Sequence, residues 1–128
     1  MTLHHISVQQ ALSQLPSVAT PRYPQGAPFA TMLHHGSMSV ELYRPQGQDL
    51  QTPHAQDELY VVVAGRGEFF CGGETQDFGP GDCLFVPAGA PHRFTRFDED
   101  FITWVIFYGP QGGETSTTSL IGSSRNSV

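Results

Sequence analysis

Apolar positions in this chain recur at two periods, and the change from one to the other divides it. From Ser7 to Leu15, Val8, Ala11, Leu12 and Leu15 fall at helical spacing, with Ser7 placed to cap and Pro16 closing the run. The pattern predicts a short amphipathic helix. Thr20-Pro21-Arg22-Tyr23-Pro24-Gln25-Gly26-Ala27-Pro28 then reads as an irregular arm that its prolines keep out of any helix. After the arm the period falls to two. Residues 29–33 and 37–44 predict strands around a turn at His34-His35-Gly36, and Met38, Val40 and Leu42 alternate with Ser39, Glu41 and Tyr43 as on a half-buried strand.

From Pro53 onward strand follows strand: residues 54–64, 68–71, 75–78, 82–86, 92–97 and 101–108. Between them stand Gly65-Arg66-Gly67, Gly72-Gly73, Gly79-Pro80-Gly81, Pro87-Ala88-Gly89 and Asp98-Glu99-Asp100. Short strands with a turn signal every several residues predict an all-β sandwich or barrel. The segment from Gln111 to Val128 is rich in Ser, Thr and Gly around Leu120 and Ile121, a composition that predicts mobility. The chain thus divides into a helix and Pro-rich arm (1–28), a β-barrel domain (29–110) and a tail (111–128).

Composition narrows the function classes. With 128 residues, the chain has the size of one domain, and its 14 glycines and 10 prolines suit many tight turns. A net charge of −6 argues against nucleic acid or another polyanion as partner. There is no Lys, which excludes Schiff-base chemistry and the usual P-loop. No apolar run approaches the roughly 20 residues that cross a bilayer, and the first residues lack the pattern of a signal peptide. The expectation is a cytoplasmic protein without a membrane partner. Cys71 and Cys83 lie on neighbouring elements, but two cysteines set no disulfide framework, and free thiols are expected. No Ser is placed beside a His and an acid, so a hydrolase triad has no support.

The chemistry-bearing segment is Thr52-Pro53-His54-Ala55-Gln56-Asp57-Glu58-Leu59-Tyr60. On a strand, residues two apart share a face, which puts His54, Gln56, Glu58 and Tyr60 on one side and Leu59, Val61 and Val63 on the other. The odd-numbered face is apolar and buries conventionally. Imidazole, amide and carboxylate together are awkward to bury without a partner, and a transition-metal cation would satisfy them. The plain alternative is a polar face turned to water. A second segment, Gly81 to His92, carries a turn, an apolar strand and a Pro/Gly bend that delivers His92 to the next strand.

These residues resemble the cupins, whose motifs are G-x5-H-x-H-x3,4-E-x6-G and G-x5-P-x-G-x2-H-x3-N. Gly81, Pro87, Gly89 and His92 fall at the spacing of the second motif, with Arg96 in place of its Asn. His54, Glu58 and Gly65 fall at the spacing of the first. Its first His would be Thr52, and Gly47 stands one place from the expected Gly. The resemblance spans roughly residues 29–110. It implies an antiparallel jelly-roll β-barrel with His54, Glu58 and His92 as ligands of one divalent transition metal (Fe, Zn, Mn or Ni), and Gln56 as a candidate fourth. Two His and one carboxylate serve both non-haem Fe(II) oxygenases and catalytic zinc sites. The implied function is metal-dependent work on a small polar organic molecule, dioxygenase-like or isomerase/lyase-like. The alternative is a non-catalytic cupin that binds a small ligand, and a third reading makes the metal purely structural.

Tyr60 continues the proposed ligand face and is the first candidate for a pocket residue, ahead of Phe70, Phe94, Trp104 and Phe107. Arg96 either points inward to meet a substrate carboxylate or sits at the rim, paired with an acid such as Asp98. His34 and His35 face opposite sides near a turn and are expected to be exposed, His4 and His5 to be incidental, and Asp57 to be solvent-exposed or turn-stabilising. The apolar stretch 101–108 and the arm suggest a covered sheet edge, hence a homodimer.

Overall fold

The structure is a computed structural model, and it describes residues 4–115 and 118–121. Eight strands follow one helix: α1 (Val8–Leu12), β1 (Phe29–His35), β2 (Met38–Tyr43), β3 (Asp57–Ala64), β4 (Gly67–Cys71), β5 (Glu74–Phe78), β6 (Cys83–Val86), β7 (His92–Phe97) and β8 (Ile102–Tyr108). They form a five-stranded sheet in the order β1-β2-β8-β3-β6 and a three-stranded sheet in the order β5-β4-β7, every pair antiparallel. Gly65 carries the chain from one sheet to the other at φ +87°, where a Cβ would come 2.5 Å from the Cα of Phe101. A motif glycine is thereby explained by close backbone approach. Among the described residues, no helix is long and apolar enough to cross a membrane.

The core lies between the sheets. Phe94 is its hub, with ring centroids 4.6 Å from Phe101, 4.8 Å from Phe69, 4.9 Å from Tyr60 and 5.4 Å from Phe78. Aromatic contacts of this kind contribute about 0.5–1.5 kcal/mol each beyond area burial. Val62, Val86 and Val105 complete the packing. The expected apolar face of β3 is reversed: Glu58, Tyr60 and Val62 are buried, while Leu59, Val61 and Val63 are half-buried.

β2 shows a similar reversal. Glu41 and Tyr43 line an interior cavity. Leu42, fully buried, lies outside the inter-sheet core, and α1 packs against β1 and β2 with Ala11 fully buried. The helix gives the outer face of the sheet its own small apolar layer, which frees the inner face to be polar. Its N-terminus is a complete capping box between Ser7 and Gln10. The helix ends at Leu12 rather than Leu15, because Gln14 and Leu15 bond to Ala11 and Leu12, one residue short of α spacing, ahead of Pro16.

Three further expectations are corrected. Residues 102–108 form no edge, since β8 lies between β2 and β3 and spends both sides on pairing, so the edge argument for a homodimer falls away. Cys71 and Cys83 are free, as expected, but they sit on different sheets and not on neighbouring elements. The start of the tail is tied down: Gly112 N donates to Ala55 O at 2.7 Å and Glu114 N to Asp57 Oδ2 at 2.8 Å. Leu120 and Ile121 are exposed. The expected mobility of 116–117 and 122–128 concerns residues outside those described.

Candidate metal centre

Three elements bring His54, Glu58 and His92 together. Glu58 stands near the start of β3, His92 opens β7, and His54 lies in the loop ahead of β3. One ligand atom from each lies within 4.8 Å of the others. Strand alternation accounts for Glu58 but not for His54, because β3 starts at Asp57. In the loop, carbonyls bond to other loops instead of a neighbouring strand: His54 O accepts from Gly89 N at 2.8 Å, and Ala55 O from Gly112 N.

The same bonds join the two motif segments. Gly89 sits at φ +79°, in the bend that leads to His92, and Asp57 Oδ1 accepts from Ala88 N at 2.9 Å. Asp57 is thus a buried staple of that turn, 5% exposed, and not a solvent-facing acid. Two hydrogen bonds between residues 54–57 and 88–89 fix His54 and His92 relative to each other, with ring centroids 5.4 Å apart. Phe107 stands edge-on to His54 at 4.8 Å and limits rotation of its ring.

The polar atoms of this cluster lack partners. His54 Nε2, both Glu58 carboxylate oxygens and His92 Nε2 are buried without a hydrogen bond. Each such atom costs on the order of 1–3 kcal/mol, and a buried carboxylate more. His92 Nδ1 lies 3.0 Å from Ala90 O and donates to it, which leaves Nε2 with its lone pair turned toward Glu58 Oε1 at 3.3 Å. Two electron-rich atoms facing each other call for a cation between or beside them, a metal ion or a proton. The donor set fits a divalent transition ion.

The titration behaviour follows from the same geometry. Burial pulls the His92 imidazole down, but the Glu58 carboxylate and the Ala90 carbonyl outweigh it, and its pKa is raised. At His54 burial dominates over the attraction of Glu58, and the pKa is lowered. Tyr60 is fully buried, and its hydroxyl donates to Gln51 Oε1 at 3.0 Å. Burial, and then the nearby Glu58 charge, push its pKa well above the usual value.

A family model, the Cupin domain, matches residues 39–107. The chain belongs to the cupin domain family. This cupin is 40% identical over 85 residues to an uncharacterized protein of Streptomyces coelicolor, covering 65% of this chain and 81% of the other. It is 34% identical over 89 residues to the dimethylsulfoniopropionate lyase DddQ of Ruegeria pomeroyi, covering 66% of this chain and 42% of the lyase. The chain therefore spans less than half the length of that relative. A cupin-2 domain containing protein from Shewanella frigidimarina shares the fold, with TM-score 0.57, 14% identity and coverage of 79% of this chain and 91% of that one. The all-β cupin fold is shown by these likenesses and by the strand arrangement.

Other sequence candidates lie elsewhere. Gln56 turns aside, its amide nitrogen donating to Ser37 O at 2.8 Å and Gly109 O at 2.9 Å. Arg96 is on the outer surface: its side chain is 64% exposed and 3.5 Å from Asp77, not Asp98. The cause is a bulge at Thr95, where β7 gains a residue against β4, so that Arg96 pairs with Glu68 and the alternation from His92 is broken. Asp98 instead accepts from Arg66 N. His34 and His35 are exposed.

A cavity of about 800 Å³ opens beside His54, lined on the barrel side by Glu41, Tyr43, Gln51, Thr52, Val105 and Phe107. Asp49 supports it from behind. Only 3% exposed, Asp49 accepts from Tyr43 Oη at 2.7 Å, Phe94 N at 2.8 Å, Gln51 N at 3.0 Å and Gln51 Nε2 at 3.2 Å. Sequence reasoning missed Asp49, Gln51 and Glu41. Asp49 and Gln51 lie in an aperiodic loop that gives no directional signal, and Glu41 looked like the solvent side of its strand.

Proposed function

We propose that this cupin is a mononuclear metal enzyme, with His54, Glu58 and His92 holding one divalent transition ion and a small polar organic molecule bound in the adjoining cavity. The observation that carries this is the convergence of buried, partnerless ligand atoms, next to a cavity that one of the three residues lines. A structural site is usually closed by four protein ligands, whereas three leave room for water or substrate. Bound there, a divalent ion would polarise a substrate oxygen as a Lewis acid.

The chain's own groups divide the remaining work. His54, at the cavity wall, links the cluster to the space where a substrate sits. Glu58 supplies the negative charge that selects a cation. Tyr60 keeps its proton and positions Gln51, whose amide is also held by Asp49, on the cavity wall. Gln56 and Arg96 take no part, since both are engaged or exposed elsewhere.

A lyase- or isomerase-type reaction is the first choice, because it needs only substrate polarisation and proton movement, and because the chain is similar to a lyase. The two-His, one-carboxylate set favours a second reading, a dioxygenase that uses iron. Titrating Co(II) into chelated protein tests the ligand set: visible absorption bands of a His/carboxylate site should appear in the wild type and be lost in Glu58→Gln. Unchanged bands in that variant would overturn the assignment. A screen of small organic substrates with and without O2 then separates the two reactions, and ligand binding without turnover in either condition would reduce the protein to a binding module.

A further inference from the structure

The cavity beside His54 has a wall that no strand provides. Thr20, Pro21, Arg22 and Tyr23 line it, and all four belong to the Pro-rich arm, outside the 39–107 matched by the family model. The arm is a built element. Thr20 and Tyr23 exchange backbone hydrogen bonds at 3.0 Å, and Ser17 and Ala27 do so at 2.9 and 3.2 Å. Ser17 Oγ donates to Phe29 O at 2.6 Å, and the Tyr23 ring stands edge-on to Phe29 with centroids 6.0 Å apart. Arg22 Nη1 donates to Leu50 O at 3.1 Å, which ties the arm to the loop that carries Gln51, Thr52 and His54.

That bond uses one corner of the guanidinium, and the exposed remainder of its fork is open to a ligand. Arg22 alone among the lining residues carries a permanent positive charge. The acid on the opposing wall, Glu41, accepts a hydrogen bond from Thr31 Oγ1 at 3.2 Å, and burial pushes its pKa up. Pro21, Tyr23, Phe29, Val105 and Phe107 make the rest of the lining mainly apolar.

We propose that the arm is the specificity wall of this site, and that Arg22 receives the carboxylate of a small organic acid whose other polar end reaches the His54–Glu58–His92 cluster. A planar fork and a carboxylate match in geometry as well as charge. The short hydrocarbon body of such an acid suits the apolar lining. The proposal rests on the reading of the cavity as the substrate site, but its test does not depend on metal occupancy.

Isothermal titration of pyruvate, lactate and phenylpyruvate, each beside its neutral primary amide, into wild type, Arg22→Gln and Arg22→Lys decides it, with metal content measured for all three proteins. The wild type should prefer the acids by about tenfold or more, Arg22→Gln should lose that preference, and Arg22→Lys should keep part of it. Metal content should not differ among them. Equal binding of acid and amide to the wild type, no binding of any acid, or an acid preference that survives in Arg22→Gln would overturn the proposal. So would an equal loss of acid and amide binding in Arg22→Gln, which would make Arg22 only a tether of the arm. A wild type devoid of metal that still shows an Arg22-dependent acid preference would sink the metal reading and leave this one standing.

Discussion

His92 Nε2 and Glu58 Oε1 face each other at 3.3 Å, both side chains fully buried and neither atom hydrogen-bonded. The Ala90 carbonyl takes the proton of the other ring nitrogen and so aims a lone pair at a carboxylate. In an interior of low polarity this arrangement is unfavourable unless a positive charge joins it.

Replacing Glu58 by Gln should therefore act in opposite directions on the two states of the protein. Without metal, and above the pH at which His92 gives up its proton, loss of the buried charge should leave stability unchanged or raise it by about 1 kcal/mol. With metal, an affinity loss of about a hundredfold would remove about 2–3 kcal/mol of metal-dependent stabilisation. Thermal unfolding with and without added Zn(II) checks both. An unchanged Zn(II) effect in the variant would contradict the role given to Glu58.

Acid should compete with the metal for His92. Its folded pKa is raised above the ordinary 6.5. In metal-free protein its contribution to stability is full below the unfolded value and is lost as pH rises through the raised folded value. Metal ligation requires the deprotonated ring and so gains with pH over the same window. The Tm difference between Zn(II)-loaded and chelated protein should widen as pH rises from the unfolded value of about 6.5 through the raised folded value. His54, with its pKa lowered by burial, gives up its proton at lower pH than His92. A difference that narrows with pH would reverse the sign and count against His92 as a ligand.

Asp49→Ala should destabilise the protein by about 3 kcal/mol or more, since each buried donor left alone costs on the order of 1–3 kcal/mol. Tyr43 Oη, Phe94 N and the Gln51 amide lose their acceptor together. Denaturant unfolding gives the value, and a change within about 0.5 kcal/mol, as at an ordinary surface site, would show that the network is dispensable.

The legible parts of the sequence were those with a local cause. Turn residues delimited the strands, because Gly and Pro punctuate them by backbone sterics alone. The two motif spacings located Glu58 and His92, and Ser7 as a cap marked the helix start. Three features escaped because their cause is tertiary. The bulge at Thr95 depends on how β4 pairs with β7, and it turns Arg96 outward against the alternation. The polar face of β2 points inward because α1 covers the apolar one, the reverse of the usual assignment. Asp49 and Asp57 are held by backbone donors distant in sequence, Phe94 N on β7 and Ala88 N in the bend before it, which no periodicity foretells.

Elemental analysis of the protein, purified without a metal-affinity tag and compared with His54→Ala, addresses the central claim most directly. About one divalent transition ion per chain is expected in the wild type, falling to a small fraction in the variant. Trace metal in the wild type, or an amount that His54→Ala leaves unchanged, would contradict the account.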